Sequence, residues 1–349
     1  MEPQAGPRTT TELGRRLPQT MRAIIYDDYG SADVLRLAER PLPHRHANQL
    51  LIEVHASSVN PIDYRLRRGE MKGLLPGGFP RTPGYDVAGR VVDCPVDVAF
   101  SRGDRVLAFL DHLRGGACAE YAVCRHTSAA KLPDDIPFAD AAAIPLAGTT
   151  ALQSLRDHGQ IQPGDRVLIN GASGGVGMFA VQIAKAYQCE VDAVASGRNE
   201  AFCFFLGADN FYDYRQTNIT ATRRRWDIIF DAAGKMTYLG ARKILNRGGR
   251  FVSTEPSLKG MLMTLITRWS VKPGKVMLAI PSGNDLRQLI DLYRQGKLRV
   301  TLDSRFPLAE TAAAQRRVES GVEHGKVVID HSSLSTETHA PATAPLNRF

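Results

Sequence analysis

The spacing of apolar and polar positions changes rhythm part-way along this chain. From residue 21 to about 130 the apolar residues fall into short runs, at 22–26, 35–38, 50–55, 87–92, 105–109 and 120–123, with glycine- and proline-containing turns between them. Runs of this length and spacing predict the strands of a small, partly closed β domain. From about residue 139 the pattern alternates between strand and helix. It predicts a helical stretch over 141–155, interrupted near Pro145, and strands at 167–169, 190–196, 227–230, 250–253 and 276–280. Helices are predicted at 200–206, 236–245 and 284–295, and the segment 298–330 reads as strand, helix and strand. Alternation of this kind predicts a parallel sheet covered on both faces, so the fold class is α/β with a β-barrel-like partner.

The two ends lack this patterning. Residues 1–20 contain Pro, Thr and Arg, and residues 331–349 are rich in Ser, Thr, Ala and Pro, both without an apolar period, which predicts disordered extensions. Residues 1–20 have no apolar core segment, which argues against a secretory signal. No apolar run approaches the roughly 20 residues needed to span a bilayer, so no membrane partner is expected. The five cysteines are odd in number and form no CxxC pair, which fits reduced thiols and a cytoplasmic location. The net charge of +8 suits a polyanionic cofactor as well as a nucleic acid. The basic residues are scattered apart from Arg223-Arg224-Arg225, and no aromatic-plus-basic RNA module is readable. A nucleic-acid partner is therefore not expected.

The most informative stretch is Asp165 to Gly177. Its short apolar run breaks into Gly171-Ala172-Ser173-Gly174-Gly175-Val176-Gly177 and then into the helical pattern Val176, Phe179, Ala180, Ile183, Ala184, Tyr187. A strand, a glycine turn and a helix aim free backbone N–H groups and a positive helix end at a phosphate. Gly171 is placed to make the tight turn, Gly174 to let a pyrophosphate approach, and Gly177 to let the helix pack close to the strand. An NAD-selective fold ends its second strand on an acidic side chain that holds the ribose 2′-OH. Here that strand runs into Ser196-Gly197-Arg198-Asn199. Ser196, Arg198 and Asn199 are donors suited to a 2′-phosphate, so NADPH is the expected cofactor. An exposed loop cation and an ordinary turn are the plainer alternative.

Several motifs together resemble the zinc-free quinone oxidoreductases, the zeta-crystallin relatives of the medium-chain dehydrogenase/reductase superfamily. They are Asn60-Pro61-Ile62-Asp63 with Arg67 and Gly69, Pro83-Gly84-Tyr85-Asp86-Val87-Ala88-Gly89, Gly103-Asp104-Arg105-Val106 and Gly116-Ala117-Cys118-Ala119-Glu120-Tyr121. Pro145-Leu146-Ala147-Gly148-Thr149-Thr150-Ala151, the glycine loop, Leu206-Gly207-Ala208-Asp209 and Gly325-Lys326-Val327-Val328 complete the set. The resemblance implies a GroES-like catalytic domain, first over 21–145 and again over 286–330, split by a Rossmann domain over 146–285. It further implies NADPH-dependent reduction of a quinone or an α,β-unsaturated carbonyl in the cleft between them, in a homodimer.

The same resemblance nominates residues. Asn60 and Asp63 would form the cleft floor near the nicotinamide ribose, with Tyr64 and Arg65 in reach of a substrate oxygen. Relatives of the zeta-crystallin type carry Tyr at the Arg65 position and plant enone reductases carry Lys, which tilts the expectation towards enones. Thr150 would contact the nicotinamide or its phosphates, and Tyr214 would lie near the adenine ribose phosphate. Each has a structural alternative: a turn at Asn60-Pro61, a core Tyr64, a helix-capping Thr150 and a strand-end Tyr214. Zinc dehydrogenases of the superfamily put Cys at Asn60 and Gly-His-Glu at Gly84-Tyr85-Asp86. His44, His46, His55, His112 and His126 match no zinc spacing, so no metal is expected. Two other functions fit the same residues: an enoyl-thioester reductase, and a non-catalytic NADPH-binding protein with an RNA-binding or structural role.

Overall fold

In the computed structural model the chain is described over residues 17–72, 78–111, 115–255 and 258–331. Residues 1–16 and 332–349 of the expected extensions, and His112, lie outside the described residues. The first part opens with an antiparallel pair, β1 (Thr20–Ile25) and β2 (Arg36–Pro41). Then come β3 (Gln49–Ser58), helix α1 (Pro61–Arg67), β4 (Asp86–Asp93), β5 (Arg105–Phe109), β6 (Tyr121–Arg125) and β7 (Ala129–Lys131). The long strand β3 pairs with both β4 and β6, which curls the sheet towards the expected partly closed barrel.

The middle of the chain forms α2 (Phe138–Ala143), α3 (Pro145–Gln153), β8 (Arg166–Asn170), α4 (Gly175–Ala186), β9 (Glu190–Ala195), α5 (Glu200–Phe205) and β10 (Asn210–Asp213). It continues with β11 (Trp226–Asp231), α6 (Tyr238–Ile244), β12 (Leu245–Ser253), α7 (Leu258–Thr267) and β13 (Gly274–Val276). These strands form one parallel six-stranded sheet in the order β10-β9-β8-β11-β12-β13. That is the dinucleotide-binding order, with its switch point between β8 and β11. Helices cover both faces, so Val167, Leu168 and Ile169 are all fully buried, and the run is continuous rather than alternating. The last part, α8 (Gly283–Arg294), β14 (Leu302–Pro307), α9 (Thr311–Glu319) and β15 (Lys326–Asp330), returns to the first sheet, where β15 pairs antiparallel with β3.

Several elements depart from the sequence reading. Thr20 already belongs to β1, and the Gln19 carbonyl accepts the Leu42 N–H at 2.9 Å, so the 1–20 boundary runs too far into the fold. His331 is buried and its N–H donates to the His55 carbonyl at 3.0 Å, so it closes β15 instead of opening a tail. The strand expected over 276–280 is β13, earlier and shorter. Helices α1 and α7 lie outside the expected elements, and β10 answers only to the alternative of a strand end at Tyr214. Asn60-Pro61 reads as a turn, but Pro at the first helical position after Asn is also a helix start.

Asp192, which looks misplaced inside a buried strand, is fully partnered. Its carboxylate accepts from Trp226 Nε1 at 2.9 Å and Asn210 Nδ2 at 2.8 Å, and it pairs with Arg224 Nε at 2.6 Å. The buried charge is tolerated because each oxygen has donors and a cation.

Candidate active site

Strand β8 ends at Asn170, whose Nδ2 donates to Asp231 Oδ1 at 2.8 Å across the switch point. The next residue, Gly171, adopts φ +82°, and a Cβ there would lie 2.9 Å from Ala233 Cβ. A Cβ on Gly177 would overlap the Gly171 carbonyl, so this glycine serves the turn itself as much as the helix–strand approach expected of it. Gly174 is the N-cap of α4 and has open space in front of it, with only the Gly171 carbonyl near, at 3.4 Å. The loop thus presents backbone without side chains at the start of a 12-residue helix, which is an anion cradle.

Beside it lies a cavity of about 770 Å³, lined by Gly171, Ser196, Arg198, Tyr214, Lys235 and Glu323 among others. That is the size of a cofactor site. Ser196 Oγ is buried and has no hydrogen-bond partner among the described residues, a donor left over for a ligand. Tyr214 is exposed at the rim. Asn199 is already engaged: its Nδ2 donates to Ser173 Oγ at 2.9 Å and to the Glu323 carbonyl at 2.9 Å, tying the loop after β9 to the glycine turn and to the segment before β15. Arg198 pairs through Nε with Glu323 at 3.1 Å. The glycine cradle and the unpartnered Ser196 fit a dinucleotide.

On the other side of the glycine loop sits a buried polar cluster. Helix α1 starts at Asn60 because the Asp63 carboxylate accepts its N–H at 2.7 Å; the other Asp63 oxygen accepts the Gly84 N–H at 3.0 Å. The Asn60 amide is held at both ends. Its Nδ2 donates to Asp86 Oδ2 at 2.7 Å, and its Oδ1 accepts from Lys326 Nζ at 2.6 Å. Asp86 also accepts from Ser58 Oγ at 2.6 Å and from the Leu146 N–H at 2.7 Å. Lys326 comes from β15, donates to the Val59 carbonyl at 3.2 Å, and lies 3.7 Å from Asp86 Oδ2. Its Cδ is 2.9 Å from where a Cβ of Gly175 would stand, so the cluster abuts the cradle directly. Burial, with Asp86 nearby, pushes the Asp63 carboxyl up to about 7 against the pull of its two N–H donors. Burial also lowers the Lys326 ammonium, and Asp86 and Asp63 counter that.

The remaining nominated residues are more occupied than the sequence implies. Arg65 Nη2 reaches Glu255 at 3.1 Å and its Nε lies 3.7 Å from Glu70, so the guanidinium bridges α1 to the segment after β12. Tyr64 lies under the Arg68 guanidinium, 5.3 Å from ring centre to Cζ. Thr150 Oγ1 donates back to the Leu146 carbonyl at 2.7 Å within α3, whereas its neighbour Thr149 keeps a buried hydroxyl with no hydrogen-bond partner among the described residues. Asp86 and Lys326 stand in the sequence only as parts of motifs, and no pattern there singles out Glu323.

The description "Alcohol dehydrogenase GroES-like domain" matches residues 46–134, and "Zinc-binding dehydrogenase" matches residues 206–329. A quinone-oxidoreductase homolog from spinach chloroplasts is 34% identical over 323 residues, covering 89% of this chain and 98% of its own. This chain belongs to the quinone oxidoreductase family of the medium-chain dehydrogenase/reductase superfamily. It is an oxidoreductase. The structure of the quinone oxidoreductase from Coxiella burnetii is similar throughout, with a TM-score of 0.81, 32% identity, and 89% of this chain and 99% of that one covered. A chloroplastic NADPH-dependent alkenal/one oxidoreductase of Arabidopsis thaliana is 33% identical over 325 residues, covering 90% of this chain and 80% of its own. Among the described residues no three of His, Cys, Asp or Glu gather as a metal site would need, and no helix is long and apolar enough to cross a membrane.

Proposed function

We propose that this chain reduces a quinone or an α,β-unsaturated carbonyl with NADPH and without zinc. The observation that carries this reading is the buried Asn60–Lys326–Asp86 cluster packed against the glycine cradle. In the zinc enzymes of the superfamily the positions of Asn60 and Gly84-Tyr85-Asp86 serve the metal. A lysine ammonium 2.6 Å from Asn60 Oδ1 opposes a dication at that place, by like-charge repulsion. Spinach, Arabidopsis and tomato relatives bear the names quinone-oxidoreductase homolog, alkenal/one oxidoreductase and 2-methylene-furan-3-one reductase, which supports the substrate class.

When bound, NADPH supplies the hydride, and the protein supplies position and electrostatics. The Gly171–Gly177 turn, with Ser173, holds the pyrophosphate, and Ser196 and Arg198 take the 2′-phosphate. Asn60, fixed by Lys326 and Asp86, shapes the floor beside the nicotinamide ribose. Negative charge developing on the substrate oxygen calls for donors at the cleft, which is the role of Tyr64 and Arg65. Arg65 contributes a fixed positive charge and its N–H donors, once it parts from Glu255.

A homodimer is supported by β13, the edge of the six-stranded sheet, beyond which Leu278 and Ile280 are exposed, as are Leu265, Ile266 and Trp269 around α7. The cysteines at 94, 118, 124, 189 and 203 are all unpaired, which suits a reducing compartment such as the cytoplasm; several relatives are named chloroplastic or mitochondrial. The test is steady-state NADPH oxidation against a panel of quinones, enones and enoyl thioesters. Turnover of the first two classes, unaffected by a chelator, is the expected result. Tight NADPH binding with no turnover of any class refutes the reading.

A further inference from the structure

The corner of the cavity that would receive the adenine ribose is lined by Glu323 as well as Arg198, and Asp213 immediately precedes its lining residue Tyr214. Glu323 precedes β15, and its backbone carbonyl is held by Asn199 at 2.9 Å, so its side chain is delivered to Arg198 by a fixed segment. Asp213 ends β10 and stands opposite Ala195 in the parallel pairing with β9, one residue before Ser196. One Asp213 oxygen accepts the Arg215 N–H at 2.9 Å. The other lies 2.7 Å from where a Cβ of residue 197 would be. Gly197 therefore lets Asp213 approach the loop closely, beside Ser196. Strand β9 lacks the acid that would bind a ribose 2′-OH, and the neighbouring strand brings one to the same corner.

We propose that Glu323 and Asp213 are specificity-determining residues that hold down the preference for NADPH and admit NADH. This rests on the reading that the adenine ribose sits against Ser196 and Arg198. A 2′-phosphate, with close to two negative charges, meets repulsion from both carboxylates and competes with Glu323 for the Arg198 guanidinium, with Arg215 and Lys235 also lining the cavity. A 2′-OH, in contrast, donates to Asp213 without loss. Arg198 and Glu323 are both more than a third exposed, so solvent screens the competition and its effect is modest.

The test is fluorescence titration of NADPH and NADH on the full chain and on Glu323→Gln, Asp213→Asn and Arg198→Ala, with a thermal melt to verify folding. Glu323→Gln should tighten NADPH by about 1.5- to 5-fold, the scale of an exposed ion pair, and move NADH far less. Added salt should shrink that gain. Asp213→Asn, which keeps an acceptor for Arg215, should weaken NADH several-fold and leave NADPH equal or tighter. Unchanged or weaker NADPH binding in Glu323→Gln, or unchanged NADH binding in Asp213→Asn, overturns the proposal. The control separates the two layers. If Arg198→Ala weakens both cofactors equally, the 2′-phosphate reading itself falls and takes this inference with it. If it weakens NADPH selectively while the carboxylate variants change nothing, only this inference falls.

Discussion

Lys326 Nζ lies 2.6 Å from Asn60 Oδ1, a contact between residues 266 positions apart in sequence. It joins the strand entering at the end of the fold to the helix start at its beginning, and the ammonium offsets the fully buried Asp86. Lys326→Met should destabilise the protein by about 3–5 kcal/mol, because it leaves a buried carboxylate without a cation. Adding Asp86→Asn should recover part of that loss, because the new NH2 must face either the Leu146 N–H or the Ser58 and Asn60 donors. Denaturant unfolding of the single and double variants measures both effects, and equal instability of the two would show that the charge is not what matters.

Gly177→Ala places a methyl group on the Gly171 carbonyl. The glycine turn must then open, and NADPH binding should fall by about 100-fold or more, in line with the cost of misplacing a bound group by an ångström. Cofactor fluorescence titration reads this directly. Gly164→Ala is the comparison: Gly164 has a positive φ and open surroundings, so its backbone strain lies far from any cradle.

Two buried groups give the stability opposite pH dependences. Asp63 is raised from 3.8 to about 7, so the folded state holds a proton that the unfolded state lacks, and stability falls as pH rises between those values. Burial lowers His331 from 6.5 to about 3, so there the unfolded state holds the extra proton, and stability rises with pH over that span. Between about pH 4 and 6.5 the two slopes, each about 1.4 kcal/mol per pH unit, oppose one another. Asp63→Asn should uncover the rising slope and His331→Asn the falling one. Chemical unfolding at a series of pH values checks this; parallel profiles for the two variants would refute it.

Asp192→Ala strands Trp226 Nε1 and Asn210 Nδ2 beside a buried cavity and leaves Arg224 with Glu190 as its remaining carboxylate. The expected loss is about 2–4 kcal/mol, the cost of unsatisfied buried donors plus a broken ion pair. Asp192→Asn should cost less, since it keeps an acceptor. A thermal melt ranks the three proteins.

The sheet was legible in the sequence because β8, β9, β11 and β12 are apolar runs between helical patterns, and the glycine turn carries its own geometry. What escaped notice was short or non-local. β10 has four residues of intermediate burial, so it offers no apolar run. α7 keeps hydrophobic residues on its exposed face, which blurs its period. Ser196 and Arg198 could be read because they follow β9 directly. Glu323 and Asp213 could not, since the first arrives on the segment before β15 and the second from a neighbouring strand. Likewise the Gly325-Lys326 motif was visible as a pattern, but its partners Asn60 and Asp86 are set by how β15 docks on β3.

That docking has a consequence for synthesis. The glycine cradle and the Asn60–Asp86 pair belong to segments that leave the ribosome long before residue 326 does. Until β15 emerges and docks, Asp86 has no buried ammonium beside it and β3 presents an open edge. The nascent chain can therefore complete its parallel sheet early, while its reaction cleft stays electrostatically unfinished until one of the last strands is made.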